Sequence, residues 1–547
     1  MPPTHQVTNQ PPPLVDHDVY AGDLALVEAV RRHGAETAAL RDLGRLAGTA
    51  EAQRWGAEAN ASPPVLRTHD RYGRRLDEVD FHPSWHRLLS EAVGHGLAGA
   101  PWAAGPADPA AHVARAAGFL VWSQVESGHG CPVSMTYSVV PALRAAPDLA
   151  AAYEPGLTAP AYDPGLRQPA AKAGLLAGMG MTEKQGGSDV RANTTRAVDA
   201  GDGTWRLTGH KWFCSAPMCD LFLVLAQATA ADGRGGPTCF LVPRVLPGGE
   251  RNPFRLQRLK DKLGNRSNAS SEVEFEDTVG WPVGSEGRGI PTILEMVRMT
   301  RLDCVLGSAA LQRAALAQAV HHATHRSAFG GPLRDKPLMA AVLADLALES
   351  EAATALAIRL AAAVDAGETD LGRLATAVGK FWVCKRAPVA VGEALECLGG
   401  NGYVEESGLP RLYREAPLNS IWEGSGNVIA LDVLRALTRE PAAVAAVLAE
   451  AESAAGADSR LDTAAKRLRA ELGDTGGSAG LEALARQVAT LMALVLQGSL
   501  LVRHAPAAVA DAFCASRLGA GGPGPVFGAL PSRVDTAALV DRAAPTR

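Results

Sequence analysis

Aromatic residues are scarce in this chain, at 5% of its 547 positions. Its cysteines form no paired motif, and neither sign of charge dominates. Each shortage excludes something. With few rings and plentiful alanine, the core is expected to be helices packed through small side chains. The eight cysteines, Cys131, Cys214, Cys219, Cys239, Cys304, Cys384, Cys397 and Cys514, are scattered without a C-x-x-C pair. They read as buried thiols in a reducing compartment, which excludes a disulfide frame and a zinc site, so no metal is expected. No apolar run approaches the roughly 20 residues that span a bilayer. Met1-Pro2-Pro3-Thr4-His5 lacks the basic and apolar regions of a secretory signal. The expectation is a cytoplasmic protein with no membrane partner. A net charge of −5 and a pI near 6.3 exclude nucleic-acid binding through bulk positive charge and leave a local basic patch open. What is present is ordinary for a globular protein: 47% hydrophobic and 20% charged residues, on a chain long enough for several domains.

Taken in order, residues 1–20 are Pro-rich and predict an irregular arm that clasps another part of the assembly or stays mobile. Residues 21–175 predict a helical domain, with apolar spacings of three and four from Asp23 to about Ala146. Within it, Glu126-Ser127-Gly128-His129-Gly130-Cys131-Pro132 interrupts one helix and starts another, and His129 reads as structural. Residues 176–285 change period and predict a small antiparallel β domain. Its strand runs are Asn193–Val198, Trp205–Gly209, Leu221–Ala226, Cys239–Pro243, Phe254–Leu259 and Glu272–Phe275. Asp202-Gly203, Asp232-Gly233 and Gly248-Gly249 mark its hairpins. Residues 286–440 return to the helical period, with Thr300–Arg326, Leu338–Ala366 and Leu371–Leu398 long enough for a bundle. Residues 441–547 add a further helical section that ends in a Gly/Pro-rich tail. No internal repeat is present.

The chain is organised around Asn419-Ser420-Ile421-Trp422-Glu423-Gly424-Ser425-Gly426-Asn427. Val428, Leu431, Leu434 and Leu437 then share a helical face, and Ser425 or Asn427 can cap that helix. A lone carboxylate among small residues, facing free N–H groups, suits proton removal with stabilisation of the developing negative charge. The same residues read equally well as a capped surface helix carrying a solvated glutamate.

Other segments decide between the two. Met181-Thr182-Glu183-Lys184-Gln185-Gly186-Gly187-Ser188-Asp189 and Leu207-Thr208-Gly209-His210-Lys211-Trp212-Phe213-Cys214-Ser215 resemble the two flavin loops of the acyl-CoA dehydrogenase family. Arg326-x-x-Phe329-Gly330 and Leu398-Gly399-Gly400-Asn401-Gly402-Tyr403 resemble that family's FAD pyrophosphate and adenine segments, which lie across a subunit boundary. Trp422-Glu423-Gly424-Ser425 resembles its catalytic segment, and the five stand in the family's order. Asn9-Gln10-Pro11-Pro12-Pro13-Leu14 and Val509-Ala510-Asp511-Ala512-Phe513-Cys514-Ala515-Ser516-Arg517 resemble the AidB branch, which is tied to the response to DNA alkylation.

The resemblance implies a mainly α fold with an inserted antiparallel β domain: an α domain, a β domain and a four-helix bundle, plus a C-terminal helical extension. It implies FAD held by Met181, Thr182, Gly187, Ser188, Phe213, Cys214, Ser215, Arg326, Phe329, Gly399, Gly400, Ile421, Trp422, Gly424, Ser425 and Asn427, near the interfaces of a homotetramer. It implies α,β-dehydrogenation of a short or branched acyl-CoA, similar to isovaleryl-CoA, with Glu423 as base. Arg301 falls where the family places an arginine at the site's mouth, and reads equally as a surface residue paired with Asp303 or Glu295. The branch also implies non-specific binding of duplex DNA through the extension, with Arg435, Arg439, Arg503 and Arg517 as the candidate stripe. The cluster Lys466-Arg467-x-Arg469 reads as a solvated helix face. An ordinary metabolic dehydrogenase, an acyl-CoA oxidase and a chemically idle flavoprotein that binds DNA remain open.

Overall fold

A computed structural model describes residues 4–229, 235–473, 478–519, 524 and 526–546. The chain forms two compact units: Met1–Gln53 with His112–Val125 and Cys304–Arg547, and Arg54–Ala111 with Glu126–Asp303. The fold is mainly helical with an inserted β domain.

The second unit carries the sheet. A hairpin of β1 (Val65–His69) and β2 (Arg75–Asp80) lies where only helix was expected. Its strands are too polar to show alternation, and its one local signal is the turn at Asp70-Arg71-Tyr72-Gly73, where Gly73 has φ +80. The main sheet has seven strands: β3 (Ala177–Gly180), β4 (Arg196–Asp199), β5 (Trp205–Ser215), β6 (Leu221–Thr229), β7 (Gly235–Pro243), β8 (Phe254–Leu259) and β9 (Ser270–Val283). Most ladders are antiparallel, while β6 pairs with β3 and β4 in parallel. The pairings β6–β4–β5–β9–β7–β6 return to their start, so the central strands have no free edge. Leu221–Ala226 is buried on both faces, as a strand inside such a ring requires. The expected turn at Asp232-Gly233 lies outside the described residues.

The first unit is a bundle. Pro337–Asp365 packs on Thr369–Cys397, and Ser478–His504 lies against both. Among the described residues the stretch Glu482–His504 is long and apolar enough to cross a bilayer, contrary to the expectation of no such run. It is 78% buried within the protein, so its apolar character is that of a core helix. The tail also holds a helix, Thr536–Ala543, capped by Asp535, which accepts from the Ala538 N–H at 3.0 Å. Arg542 on that helix pairs with Glu28 and Glu351, tying it to the Leu24–Arg32 and Pro337–Asp365 helices.

Arg517 is buried and ion-paired with Asp345 and Glu349 of the bundle. Removing one partner of a buried pair leaves the other charge uncompensated. Arg517→Met is therefore expected to lower stability by about 3–5 kcal/mol. A urea midpoint equal to that of the unaltered chain would show that this pair does not tie the extension down.

Candidate functional site

In the second unit the structure brings the two expected flavin loops together. The Trp212 N–H donates to the Thr182 carbonyl at 2.8 Å, and the Lys184 N–H to His210 Nε2 at 3.0 Å. Below them Lys211 Nζ donates to Glu183 Oε1 at 2.8 Å, to the Leu225 carbonyl at 2.7 Å and to the Met181 carbonyl at 3.3 Å. Glu183 also accepts from the N–H groups of Thr194 at 2.7 Å and Thr195 at 3.1 Å. Both charged side chains are fully buried. Burial alone would raise the Glu183 carboxyl, but the Lys211 ammonium and these hydrogen bonds outweigh it and hold the carboxyl at about 2.

The ladder between β5 and β9 shifts register between Lys211 and Cys214. A bulge there turns Phe213 outward, 52% exposed, while Cys214 stays buried with its thiol pushed up to about 12 by desolvation. Ser215 is half-buried, its hydroxyl 3.3 Å from that of Ser270. Met181 and Thr182 are half-buried, and Gly187 and Ser188 are exposed. A Cβ on Gly187 would lie 3.0 Å from Thr182 Cγ2, so the loop closes tightly on itself. His129 is buried against Glu126, which accepts from its N–H at 3.0 Å, in keeping with a structural histidine.

In the first unit, Glu423 stands at φ +57 just before the Gly426–Arg439 helix. Ser425 is the N-cap residue, but its side chain makes no cap hydrogen bond. Asn427 lies inside the first turn instead of capping it, and its side chain accepts from Arg486 Nε at 2.9 Å. The buried face is Ile429, Ala430, Val433 and Leu434, not the Val428–Leu431 stripe, and Leu431 is 43% exposed. A strict three-residue step drifts off a helical face, whereas this face combines steps of three and four. Trp422 Nε1 donates to Asn419 Oδ1 at 2.9 Å, and Ile421 is 61% exposed. Lys380, buried in the Thr369–Cys397 helix, donates to the Trp422 carbonyl at 2.7 Å and also to the Gly424 carbonyl.

Arg326 ends the Gly289–His325 helix, and its guanidinium donates to the Asn9 carbonyl. Phe329 (φ +50) and Gly330 (φ +80) form the turn of a small hairpin, Ser327–Ala328 with Gly331–Pro332, where Phe329 is 93% exposed. Asn9 Nδ2 donates to the Ser327 carbonyl at 2.8 Å, and Gln10 Oε1 accepts from Asn401 Nδ2 at 3.2 Å. The arm thus draws the Arg326 and Gly399–Tyr403 segments to two neighbouring residues. A Cβ added at Gly399 or Gly400 would meet no atom within 4 Å, which leaves open backbone suited to a phosphate.

The basic stripe does not assemble as expected. Arg517 is buried, Arg503 pairs with Glu450, and only Arg435 and Arg439 are exposed on the Gly426–Arg439 helix. The Lys466-Arg467-x-Arg469 cluster is offset by acids: Arg467 pairs with Glu471 and Arg469 with Glu452. Arg301 is half-buried, and Glu295 pairs with Arg298 at 3.5 Å. A cavity of about 160 Å³ between the Leu24–Arg32, Pro337–Asp365 and Ser478–His504 helices includes Arg503 but none of the flavin residues. All eight cysteines are buried and free, and the described residues hold no cluster able to bind a metal. Glu183, Lys211 and Lys380 escape sequence reasoning as site residues because a buried charge and an exposed one look alike in a sequence.

Three family descriptions match in order: "Adaptive response protein AidB N-terminal domain" over residues 9–164, and the middle and C-terminal domains of acyl-CoA dehydrogenase over 178–278 and 287–438. AidB of Escherichia coli (strain K12) is 48% identical over 93% of this chain and 94% of its own length. Acyl-CoA dehydrogenase family member 11 of Caenorhabditis elegans is 30% identical over 89% of this chain and 84% of its own. The crystal structure of C. elegans ACDH-11 in complex with C11-CoA superposes with a TM-score of 0.84 at 26% identity, covering 93% of each chain. The chain belongs to the acyl-CoA dehydrogenase family, as a flavoprotein of the AidB type. Its cofactor is FAD, and the open glycine backbone at Gly399-Gly400 and the paired loops at 181–189 and 209–215 fit such a group.

Lys211→Met strands Glu183 in the interior and is expected to cost about 3–5 kcal/mol of stability, read from a urea midpoint. The folded Glu183 carboxyl lies below its unfolded value of 4.5. Its stabilising contribution is therefore complete above about pH 4.5 and lost as the pH falls toward about 2. If the unaltered chain and Lys211→Met lost stability in parallel over that window, the ion pair would not be what anchors the 181–189 loop.

Proposed function

We propose that this flavoprotein carries out α,β-dehydrogenation of an acyl-CoA thioester, short or branched as in isovaleryl-CoA, with Glu423 as the base. What carries the reading is the conformation of Glu423, a non-glycine residue in left-handed backbone with the carbonyls on both sides of it anchored by one buried lysine. Functional sites are where backbone strain of this kind is kept. An acyl thioester has a weakly acidic α-C–H. The Glu423 carboxylate takes that proton, and the electron pair moves onto the thioester oxygen. The backbone N–H of Glu423 stabilises the resulting enolate, and Trp422 keeps water from the carboxylate. The residues assigned to FAD would hold it as the acceptor that the β-hydrogen requires, taken as hydride. The likeness to a relative that holds C11-CoA supports a fatty acyl thioester as the ligand class.

The residues assigned to FAD are those the resemblance names, with Arg326 and Gly399-Gly400 on the phosphates. Phe329, Tyr403 and Ile421 are large apolar side chains left 93%, 84% and 61% exposed on those segments, which supports their burial between copies in a homotetramer. Sedimentation as a monomer would remove that part of the proposal. Cytoplasmic residence rests on the eight free thiols and is checked by cell fractionation. The setting is the response to DNA alkylation, with duplex DNA bound through its phosphates. Arg435 and Arg439 are the surface arginines that support this. The pairing of Arg503, Arg467 and Arg469 and the burial of Arg517 favour a second reading, in which residues 441–547 are structural and the protein is a metabolic dehydrogenase.

Glu423→Gln is expected to lower dehydrogenation of isovaleryl-CoA by about 10²–10⁴-fold while leaving the flavin spectrum intact. Undiminished turnover would sink the catalytic assignment. Retention on labelled random duplex should fall steeply with salt, and the double variant Arg435→Ala, Arg439→Ala should reduce the log–log salt slope by about 2. Rapid flavin bleaching by isovaleryl-CoA with no retention of duplex at low salt would decide for the metabolic reading.

A further inference from the structure

We infer that Lys380 is a positioning residue for enolate formation, fixing both the left-handed conformation of Glu423 and the direction of its backbone N–H. The inference rests on the assignment of the Glu423 segment to acyl-CoA chemistry. Lys380 lies inside the Thr369–Cys397 helix with 1% of its surface exposed. A lone ammonium in the interior is costly unless it is hydrogen-bonded. Its two described acceptors are the Trp422 and Gly424 carbonyls, one on each side of Glu423. The peptides are trans, so the Glu423 N–H runs antiparallel to the Trp422 C=O and points away from Lys380. In the same way the Ser425 N–H runs antiparallel to the Gly424 C=O. One buried cation thus holds two amide dipoles, on either side of the Glu423–Gly424 peptide, with their positive ends turned in a set direction. Each carbonyl bound to an ammonium also polarises its own peptide and strengthens the N–H of that unit as a donor.

The conformation itself needs this support. Left-handed backbone costs a residue with a Cβ about 1–2 kcal/mol, and Glu423 has glycine only on its C-terminal side. Without Lys380 the two half-buried carbonyls lose this shared donor, and the segment relaxes by rotating the Glu423 peptide. That rotation removes the donor from the thioester oxygen without touching the carboxylate side chain. Lys385, five residues further along the helix, reaches Ser420 Oγ at 3.3 Å and leaves the two carbonyls to Lys380.

The test uses the FAD-loaded protein and acetoacetyl-CoA, a thioester that ionises at its α-carbon without being oxidised. The enolate band is titrated against pH in the unaltered chain, Lys380→Met, Lys380→Gln and Glu423→Gln. Lys380→Met is expected to leave about tenfold less enolate at a given pH and to lower kcat on isovaleryl-CoA by about 10–100-fold with KM little changed. Lys380→Gln, one bond shorter and neutral, cannot span both carbonyls and is expected to give about threefold less enolate. An enolate titration unchanged in either variant that keeps its flavin overturns the inference, and if Lys380→Met fails to hold flavin, Lys380→Gln decides. Glu423→Gln separates the two assignments. Full turnover in that variant removes Glu423 as the base, while the enolate titration of the lysine variants still reads the amide donor.

Discussion

Backbone that leaves helix or strand to serve a site carries carbonyls that regular structure no longer satisfies, and once buried they must find donors. Here lysine supplies them. Lys211 holds the Met181 carbonyl and the Glu183 carboxylate, bracing them on the Leu225 carbonyl of strand β6, and Lys380 holds the carbonyls of Trp422 and Gly424. An ammonium suits this work because it offers three donors from a single point at the end of a flexible stem. The stem enters from a regular element, strand in one unit and helix in the other. In both places a buried lysine holds the irregular segment from one side.

That arrangement explains what could be read in advance. Phe254–Leu259 was legible to the residue, because its apolar residues lie between clear breaks at Asn252-Pro253 and Lys260-Asp261-Lys262. The long bundle helices were legible from their period. The hairpin at Val65–Asp80 was not, because both strands are largely solvent-facing and carry charges that suit a helix surface equally well. The helix at Thr536–Ala543 was hidden by glycine and proline just ahead of it, and its alanines say little without the Asp535 cap. Of the site, the glycine loops and the glutamate segment stood out through resemblance. The direction in which a buried lysine points is a tertiary fact with no local signature, and neither Lys211 nor Lys380 stood out.

The extension beyond residue 440 changes character once its arginines are followed to their partners. Arg542 reaches Glu28 and Glu351, Arg503 reaches Glu450, and Arg486 reaches Asn427 in the first turn after the glutamate segment. Arg542 and Arg503 are partly buried against these partners and fasten helices to one another, while Arg486 makes its contact at the exposed surface. A count of basic residues would assign them to an external polyanion, whereas their geometry assigns them to the bundle. Arg435 and Arg439, which precede the extension, are exposed, as are Lys466, Arg467 and Arg469 within it, the last two offset by Glu471 and Glu452.

The N-terminal arm sets a different kind of constraint, one of time. Asn9 is bound by Ser327, 318 positions later in the chain. At about 5–20 residues per second of synthesis, the arm spends roughly 16–64 s outside the ribosome before that partner exists. The proline run at Pro11-Pro12-Pro13 keeps the segment extended and short of donors through that interval, so it cannot settle into helix or pair as a strand with a neighbouring chain. A segment that must wait is best made from residues that commit to nothing else.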